Sequence, residues 1–392
     1  MKRIGIGLLV FATAAAGVIF GLGSQIAERR ANEVTYTVAP PTASSEAQAL
    51  FNRLFIADLH TDSLLWGRDL NVHGDRGHAD IPRLIEGRIA LQAFTVATKF
   101  PISYDPAGTA GDSDILGLLA FAQLWPISTW TSMHERALHQ AWRLDDTAAR
   151  SAGRLTVLRS ADDLASFLAR HDQHPATIAG FLGLEGAHAL ERDITKLDAL
   201  YDAGFRMLGP THVFDNAVGG SGTGLARGGL TQFGRDVVER AGELGMIIDL
   251  AHASEALIDD ALEMSDGPFV VSHTGVRGTC DNQRNLSDDH VRRIAAKGGL
   301  IAIGFFEVAV CGTGARPIAE ALAHVVRIAG PEHAALGSDF DGGVETPFDA
   351  TGLAYLVDEL LRIGLPEHEI KLVMGENTRR FLLDALPPGD RP

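Results

Sequence analysis

The sequence is poor in cysteine, in aromatic residues and in positive charge. Only 2 of its 392 residues are cysteine, 7% are aromatic, and 34 Lys and Arg stand against 50 Asp and Glu. The formal charge of −16 argues against a protein whose main task is to bind the phosphate backbone, so we predict no nucleic-acid partner. A hydrophobic content of 46% with 21% charged residues is ordinary for a folded soluble domain and excludes general disorder.

Several catalytic signatures are also missing. There is no G-x-S-x-G elbow, so a serine hydrolase would lack its nucleophile motif. The glycine-rich stretch at 219–229 lacks the Lys-Ser/Thr of a P-loop, and DFDG at 339–342 lacks the other ligands of a calcium loop. His134 and His139 are spaced i, i+5, whereas the H-E-x-x-H zinc helix needs i, i+4. None of these motifs therefore identifies an active site.

The N-terminal region predicts export. Lys2 and Arg3 precede a nearly unbroken apolar stretch at residues 4–23, and charged residues follow it. A positive start before an apolar segment is typical of an export signal, and the length also suits a membrane-spanning signal-anchor. We therefore predict a signal peptide or signal-anchor over residues 1–30 and a periplasmic or other extracytoplasmic location. An uncleaved segment 4–23 would anchor the protein to the membrane.

The two cysteines allow two interpretations. Export would place Cys280 and Cys311 in an oxidising compartment, where a disulfide can persist. Two buried thiols fit the composition equally well. The residues alone leave this choice open.

Eight short apolar runs, rich in β-branched residues, predict the strands of one folded domain at residues 48–386, after a flexible linker at 31–47. Amphipathic, helix-like segments follow most of the runs. This alternation predicts a parallel sheet buried on both faces, and eight units fit a (β/α)8 TIM-type barrel better than an open doubly wound sheet, the alternative. The predicted strands lie near 54–59, 89–96, 177–184, 205–210, 246–251, 268–272, 299–305 and 334–338.

One segment interrupts the alternation between strands 2 and 3. Residues 110–172 predict an inserted helical pair that carries Trp125, Trp130 and Trp142. The pair is expected either beside the barrel mouth or in a dimer contact. Its Gly- and Pro-rich entrance, residues 101–114, is expected to form a lid loop.

Metal-binding residue types lie at or just past the ends of four of these runs, in IADLHTD, GFLGLEG, MIIDLAH and FVVSHT. Strand C-termini meet at one face of a barrel, and residues i and i+2 of a strand point to the same side. Each histidine alone is more often structural, but together they favour a site for two divalent cations with one carboxylate between them. The candidate ligands are His60, Asp62, Glu185, His252 and His273.

Three further residues are candidates for the same face. His212 and Asp339 also follow predicted strands. Arg284, in CDNQRN, suits the bidentate binding of a substrate carboxylate. A surface arginine paired with Asp281 or Asp288 is the equally weighted alternative.

The ordered motifs DLHTD, GxxGLEGxH, THxxxN, IDLAH, VSHT, RN and GSDFDG resemble the membrane dipeptidase (renal dipeptidase) family of zinc peptidases, which are amidohydrolase-type barrels. The resemblance runs from about residue 54 to 380. It implies an enzyme, a binuclear zinc dipeptidase that hydrolyses dipeptides with a free C-terminal carboxylate through a metal-bound hydroxide. It also implies that homodimers are common.

The resemblance assigns the metal ligands residue by residue. His60 and Asp62 match the ligands of one zinc ion, and His252 and His273 match those of the second. Glu185 matches the carboxylate that bridges both ions and belongs to the catalytic set. The implied cofactor is therefore two Zn²⁺ per chain.

The resemblance also implies roles around the metals. His212 matches a histidine that contacts the substrate and steadies the developing oxyanion. Arg284 matches the arginine that meets the substrate's C-terminal carboxylate, and Asp339 matches an acidic residue near the substrate amine that is proposed to shuttle a proton. Cys280 and Cys311 resemble a disulfide of the family.

One departure leaves the substrate open. Animal members carry a Tyr shortly before the second cysteine that helps to bind the carboxylate, but this chain has FFEVAVC there. Apart from this departure, two alternatives to the dipeptidase remain. One is a related barrel metallohydrolase acting on another amide, a lactone or a phosphoester, and the other is an exported binding protein without catalysis.

Overall fold

The computed structural model describes residues 23–37 and 42–389. Of the predicted signal or anchor segment 1–30, residues 1–22 lie outside the described part, and residues 23–30 lie within it. Within the described ranges, no helix combines the length and the hydropathy that a membrane crossing requires.

Eight parallel strands close into a barrel, which confirms the predicted fold. Neighbouring strands in the chain pair side by side around the ring, and pairing of β2 with β4 and of β9 with β1 completes it. A ninth strand, β3, pairs outside the ring with the start of β4. The strands are β1 (Ile56–Thr61), β2 (Ile89–Ala97), β3 (Leu155–Val157), β4 (Ile178–Glu185), β5 (Phe205–Gly209), β6 (Ile247–Asp249), β7 (Phe269–Thr274), β8 (Leu300–Ile303) and β9 (Ala334–Leu336).

The barrel strands are buried along their whole length because side chains fill the interior and helices cover the outside. Polar N-caps begin many of the helices; Thr231, Ser254 and Ser287 each accept a hydrogen bond from the first helical turn. The helices are α1 (Ser24–Ala31), α2 (Ser45–Phe51), α3 (Ile81–Glu86), α4 (Ile115–Ala122), α5 (Met133–Arg150), α6 (Ala161–His171), α7 (Thr195–Asp202), α8 (Gln232–Glu243), α9 (Glu255–Met264), α10 (Asp288–Ala296), α11 (Glu307–Val310), α12 (Ala315–Ala329), α13 (Leu353–Arg362), α14 (Glu367–Lys371) and α15 (Asn377–Ala385).

The inserted segment 110–172 differs from the predicted helical pair. It contains three helices, α4 to α6, and the short strand β3. Pro126 and a 3₁₀ turn at Ile127–Trp130 separate α4 from α5, because proline cannot continue the hydrogen bonding of a helix. Three residues of β3 are too few to show a strand period in the sequence.

The predicted flexible linker at 31–47 also differs from the structure. Thr35 and Tyr36 donate backbone hydrogen bonds to Thr346 and Pro347, and α2 begins at Ser45. The predicted boundary at residue 30 falls inside α1. Composition favoured a tether, but these residues are held by contacts with loops far along the chain. Residues 38–41 lie outside the described part.

Arg136 fastens the insertion to the barrel. Its side chain on α5 is almost fully buried, at 1% exposure. The guanidinium donates to the carbonyl oxygens of Thr98, Thr129 and Trp130 at 2.6–2.9 Å and to the carboxylate of Asp114 at 2.6 Å. One cation therefore joins the end of β2, the entrance loop and α5.

Replacing Arg136 with Met should lower the free energy of unfolding by about 3–5 kcal/mol, because several buried acceptors lose their donor at once. Arg150 on the same helix is the matched control, since its ion pairs with Asp69 and Asp146 are half-exposed. Arg150→Met should cost less than about 1 kcal/mol. Chemical denaturation of both variants checks this, and equal losses would contradict the assigned role of Arg136.

Candidate active site

The barrel brings the eight sequence-predicted site residues to the C-terminal ends of its strands. His60 lies on β1 and His273 on β7, and Glu185 is the last residue of β4. The others follow strand ends within a few residues, except Arg284, which lies further along the loop after β7. All eight are buried: His60, Asp62, Glu185, His212, His252, His273, Arg284 and Asp339.

Glu185 is the centre of the cluster. Its Oε1 lies 3.0 Å from Nε2 of His252 and 3.6 Å from Nε2 of both His60 and His273. Its Oε2 lies 3.4 Å from Nε2 of His212. One carboxylate thus faces four imidazoles with its two oxygens, which suits a ligand shared between two cations.

Two further carboxylates lie near the same nitrogen of His60. Its Nε2 lies 3.8 Å from Oδ1 of both Asp62 and Asp339. These three residues could hold a metal ion, as could His60 with Glu185 and His273, and Glu185 with His212 and His252. The geometry therefore adds His212 and Asp339 to the five predicted donors.

Hydrogen bonds behind the cluster orient the ligands. Ser272 Oγ lies 3.0 Å from Nδ1 of His60 and 3.1 Å from Nδ1 of His273. A hydroxyl oxygen can accept from both rings, which leaves each Nε2 lone pair facing Glu185. Thr95 Oγ1 donates to Asp62 Oδ1 at 2.8 Å and holds that carboxylate in place.

Two site residues adopt a backbone conformation that is unfavourable for side chains. His252 has φ of 60° and Asp339 has φ of 63°, both in the left-handed region. For residues other than glycine this costs roughly 1–2 kcal/mol and usually persists only where the surroundings impose it. Here it aims the two side chains into the cluster.

Burial and mutual repulsion disfavour negative charge on the carboxylates. Burial raises the pKa of Glu185 well above its usual range, and the nearby charges of Asp62 and Asp339 raise it further. Burial and Asp62 likewise raise the pKa of Asp339 well above its usual range. Burial raises the pKa of Asp62 to about 7. A bound cation would reverse these shifts, because it favours the ionised form.

Burial and nearby positive groups also keep the imidazoles neutral. Burial lowers the pKa of His60, His252 and His273 well below the usual value, and neighbouring positive groups add to the effect. Burial lowers the pKa of His212 to about 4. Neutral imidazole is the form that binds metals.

The donor set fits divalent metal ions. Nε2 of His60 is buried without a hydrogen-bond partner, and Nε2 of His252 and His273 face each other at 2.8 Å. Ring nitrogens so placed need a positive group between or beside them. Imidazoles combined with carboxylates suit zinc and similar transition metals rather than calcium or magnesium.

A cavity of about 890 Å³ opens above the cluster. Arg284 lines it, and its guanidinium donates to the carbonyl oxygen of His273 at 3.0 Å and to Thr274 Oγ1 at 3.4 Å. Leu116 and Leu119 of α4 line it too, which places the insertion beside the barrel mouth. Beside the predicted site residues, the cavity is lined by side chains for which the sequence predicted no role, among them Tyr104, Phe306, Leu65, Trp66 and Ala27.

Tyr104 is the most informative of the missed residues. It lies on the predicted lid loop and lines the cavity with Arg284, and its ring is 5.6 Å from that of Phe100. The positive charge of Arg284 acts on its hydroxyl, although burial has the larger effect and raises the pKa of Tyr104. The only available signal was its place in the entrance loop.

Cys280 and Cys311 form a disulfide, which confirms the pairing that the resemblance implied. The bond joins the loop after β7, which carries Arg284, to the end of α11. Asn285, the neighbour of Arg284, donates to the carbonyl oxygens of Cys280 and Ala309 at 2.8 and 2.9 Å. The segment around Arg284 is therefore tied down on both sides.

A parallel barrel with imidazoles and carboxylates gathered at its C-terminal face is typical of metal-dependent enzymes. A match to a known family identifies the kind of metal-dependent enzyme. The chain belongs to the membrane dipeptidase family, peptidase family M19, whose model matches residues 44–385, and it is a metallopeptidase.

The individual proteins that this chain resembles include dipeptidases and metallopeptidases. Dipeptidase 3 of Rattus norvegicus is 28% identical over 361 residues, which cover 87% of this chain and 67% of that protein. Dipeptidase AC, a metallopeptidase of family M19, is 27% identical with a TM-score of 0.67 over 85% of this chain and 99% of its own. A metallopeptidase from Rhodobacter sphaeroides, solved with a phosphinate mimic of the dipeptide L-Ala-D-Ala, is 27% identical with a TM-score of 0.68 over the same shares.

Ser272→Ala should weaken the binding of a divalent metal ion such as Zn²⁺ by about 10- to 100-fold, because two candidate ligand rings lose the group that orients them. Ser287→Ala is the control, since Ser287 caps α10 and should affect stability only. Competition with a coloured zinc chelator measures both affinities. Unchanged zinc affinity in Ser272→Ala would show that Ser272 does not orient metal ligands.

Proposed function

We propose that the protein is a binuclear zinc dipeptidase that hydrolyses the peptide bond of dipeptides with a free C-terminal carboxylate. The proposal rests mainly on the arrangement around Glu185. Its two carboxylate oxygens face four imidazoles, and a cavity lined by Arg284 lies above them. The dipeptide mimic bound to the Rhodobacter sphaeroides relative supports the substrate class.

The proposed ligands divide into two sets that share Glu185. His60 and Asp62 would hold one ion, and His252 and His273 the other. Two ions bound there would lower the pKa of water to near 7 and polarise the carbonyl of the substrate. The buried walls keep the reacting groups in a medium of low dielectric, where these charges act strongly.

His212 is proposed to stabilise the developing oxyanion. Its Nδ1 lies 3.2 Å from the carbonyl oxygen of Lys99, an acceptor, so Nδ1 carries a proton and Nε2 faces the cluster. Burial keeps the ring neutral, with a pKa of about 4, in the absence of substrate. Donation from Nε2 therefore requires a second proton, which negative charge developing beside the ring would favour.

Asp339 is proposed to carry a proton to the leaving amine. Without bound cations, burial raises the pKa of its carboxyl well above the usual range; bound cations would favour the ionised form, which can take up a proton and pass it on. Its Oδ1 lies 3.8 Å from Nε2 of His60 and it lines the cavity, so a proton held there is close to the scissile bond.

Arg284 is proposed to bind the substrate's terminal carboxylate. Two of its nitrogens donate to His273 and Thr274, and burial lowers the pKa of Arg284, which nearby acidic groups such as Asp339 and Glu185 partly raise again. A carboxylate in the cavity would complete its hydrogen bonding. Only a terminal residue offers that group, so longer peptides would bind poorly in the same register.

Export is the proposed location. The Cys280–Cys311 disulfide supports an oxidising compartment, in agreement with the apolar N-terminal segment of the sequence. Anchoring through residues 4–23 and a homodimer remain proposals that membrane fractionation and light scattering can test.

The purified protein, with zinc restored, should hydrolyse members of a panel of L,L and L,D dipeptides. A chelator should abolish the activity, and added zinc should restore it with two equivalents bound per chain, because the proposed nucleophile depends on metal. A zinc-replete protein that cleaves no dipeptide of the panel would contradict the proposal.

Arg284→Lys should raise KM for dipeptides by about 10- to 100-fold with a smaller change in kcat, because lysine cannot form the bidentate contact. Arg277→Lys, in the same loop, is the matched control, since Arg277 pairs with Glu255 near the surface. Steady-state kinetics measures both variants. Full activity in Arg284→Lys would favour a barrel metallohydrolase that acts on a substrate without a terminal carboxylate.

A further inference from the structure

Helix α1 lies outside the region matched by the family model, yet it lines the cavity above the cluster. The match begins at residue 44, whereas α1 spans Ser24–Ala31. Ser24, Ala27, Arg30 and Ala31 face the same cavity as the candidate ligands. This segment is therefore an addition to the barrel that reaches the candidate active site.

A buried ion pair fixes α1 in this position. Glu28 is 1% exposed, and its carboxylate accepts from Arg76 Nε at 2.6 Å and pairs with the guanidinium of Arg68. Arg68 in turn pairs with the fully buried Asp341, two residues after Asp339. A buried carboxylate is costly without its partners, so α1 is held where Glu28 meets these arginines.

The residues that follow α1 are tied to the loop that carries Asp339. Asn32 Oδ1 accepts from the backbone N–H of Gly343 at 2.9 Å. Thr346 donates its N–H to Glu33 O at 3.0 Å and accepts from Thr35 N at 2.9 Å. Helix α1 and the loop after β9 therefore form one wall, on the side of the cavity where Asp339 lies.

We propose that α1 is a specificity wall that faces the side chain of the dipeptide's N-terminal residue. This inference rests on the proposed function, in which Asp339 lies near the substrate amine and Arg284 binds the other end. The cavity, about 890 Å³, is near the upper limit of roughly 300–1,000 Å³ for small-molecule sites, so its outer walls decide which side chains fit. Ala27 leaves room for a side chain, and Glu28 positions the helix.

Ala27→Trp, measured in the full-length, zinc-restored protein, tests the specificity wall, because the indole would fill the space in the cavity beside Ala27. The ratio of kcat/KM for Phe-Ala to kcat/KM for Gly-Ala should fall by about tenfold or more, mainly because KM for Phe-Ala rises. Even a small loss of pocket volume discriminates between large and small side chains by this amount. The ratio for Ala-Phe relative to Ala-Gly should stay unchanged. Ile26→Trp is the control on the same helix, because Ile26 is 49% exposed and does not line the cavity.

An unchanged Phe-Ala to Gly-Ala ratio in Ala27→Trp, or a change confined to the Ala-Phe series, would overturn the inference. Its failure is distinguishable from that of the proposed function. If the wild-type protein cleaves no dipeptide, both fail. If it cleaves dipeptides but the variant ratios do not move, only the specificity wall fails.

Glu28→Gln tests the positioning role without touching the cavity. Weaker anchoring should let α1 move outward, so the Phe-Ala to Gly-Ala ratio should rise, and Glu28→Asp should lie closer to wild type. Thermal unfolding is measured in parallel. A lower Tm with an unchanged ratio would show that Glu28 only stabilises the fold and would overturn its positioning role.

Discussion

The buried carboxylate of Glu185 among four imidazoles is the interaction on which the site depends. Asp62 and Asp339 lie in the same desolvated region, and their repulsion raises the pKa of Glu185 beyond the effect of burial. Such a cluster is stable when protons or cations balance its charge. With the histidines neutral, divalent cations are the balancing charge that suits the candidate ligands, because a cation favours the ionised form of the carboxylates.

Hydrogen bonds between neighbouring strands of the barrel support this cluster. Ser272 holds two ligand rings from β7, and its backbone N–H donates to Asp249 at the end of β6 at 2.8 Å. Asp58 of β1 accepts from both the N–H and the hydroxyl of Ser338, which follows β9. These bonds connect neighbouring strands at the ligand face, so the donors are placed before any metal binds.

The barrel strands and several site residues were predictable from the sequence for one reason. Strands buried on both faces appear as continuous apolar runs, and the polar residues at their C-terminal ends meet on one face. His60, Glu185 and His273 were found in this way. Ser272 was visible beside His273, but nothing in the sequence said that its hydroxyl reaches His60 on another strand.

The missed features depend on contacts between distant residues. Arg136 is a charged residue whose type is rarely fully buried, so a pattern of apolar positions cannot reveal its role. The docking of α1 depends on Glu28, Arg68 and Asp341, which belong to three separate segments. The position of Tyr104 at the cavity depends on how a loop without regular structure folds. Local sequence carries little information about any of these.

Arg284 and Asp339, which both line the cavity, are positioned by different ties, neither of which is a bond to a candidate metal ligand. Arg284 lies in a loop held by the Cys280–Cys311 disulfide, and the loop of Asp339 is held by α1 through Asp341 and Gly343. If these residues bind the carboxylate and amine of a substrate, their separation sets the length of chain that fits. Relatives with the same metal ligands can therefore differ in substrate wherever either tie differs.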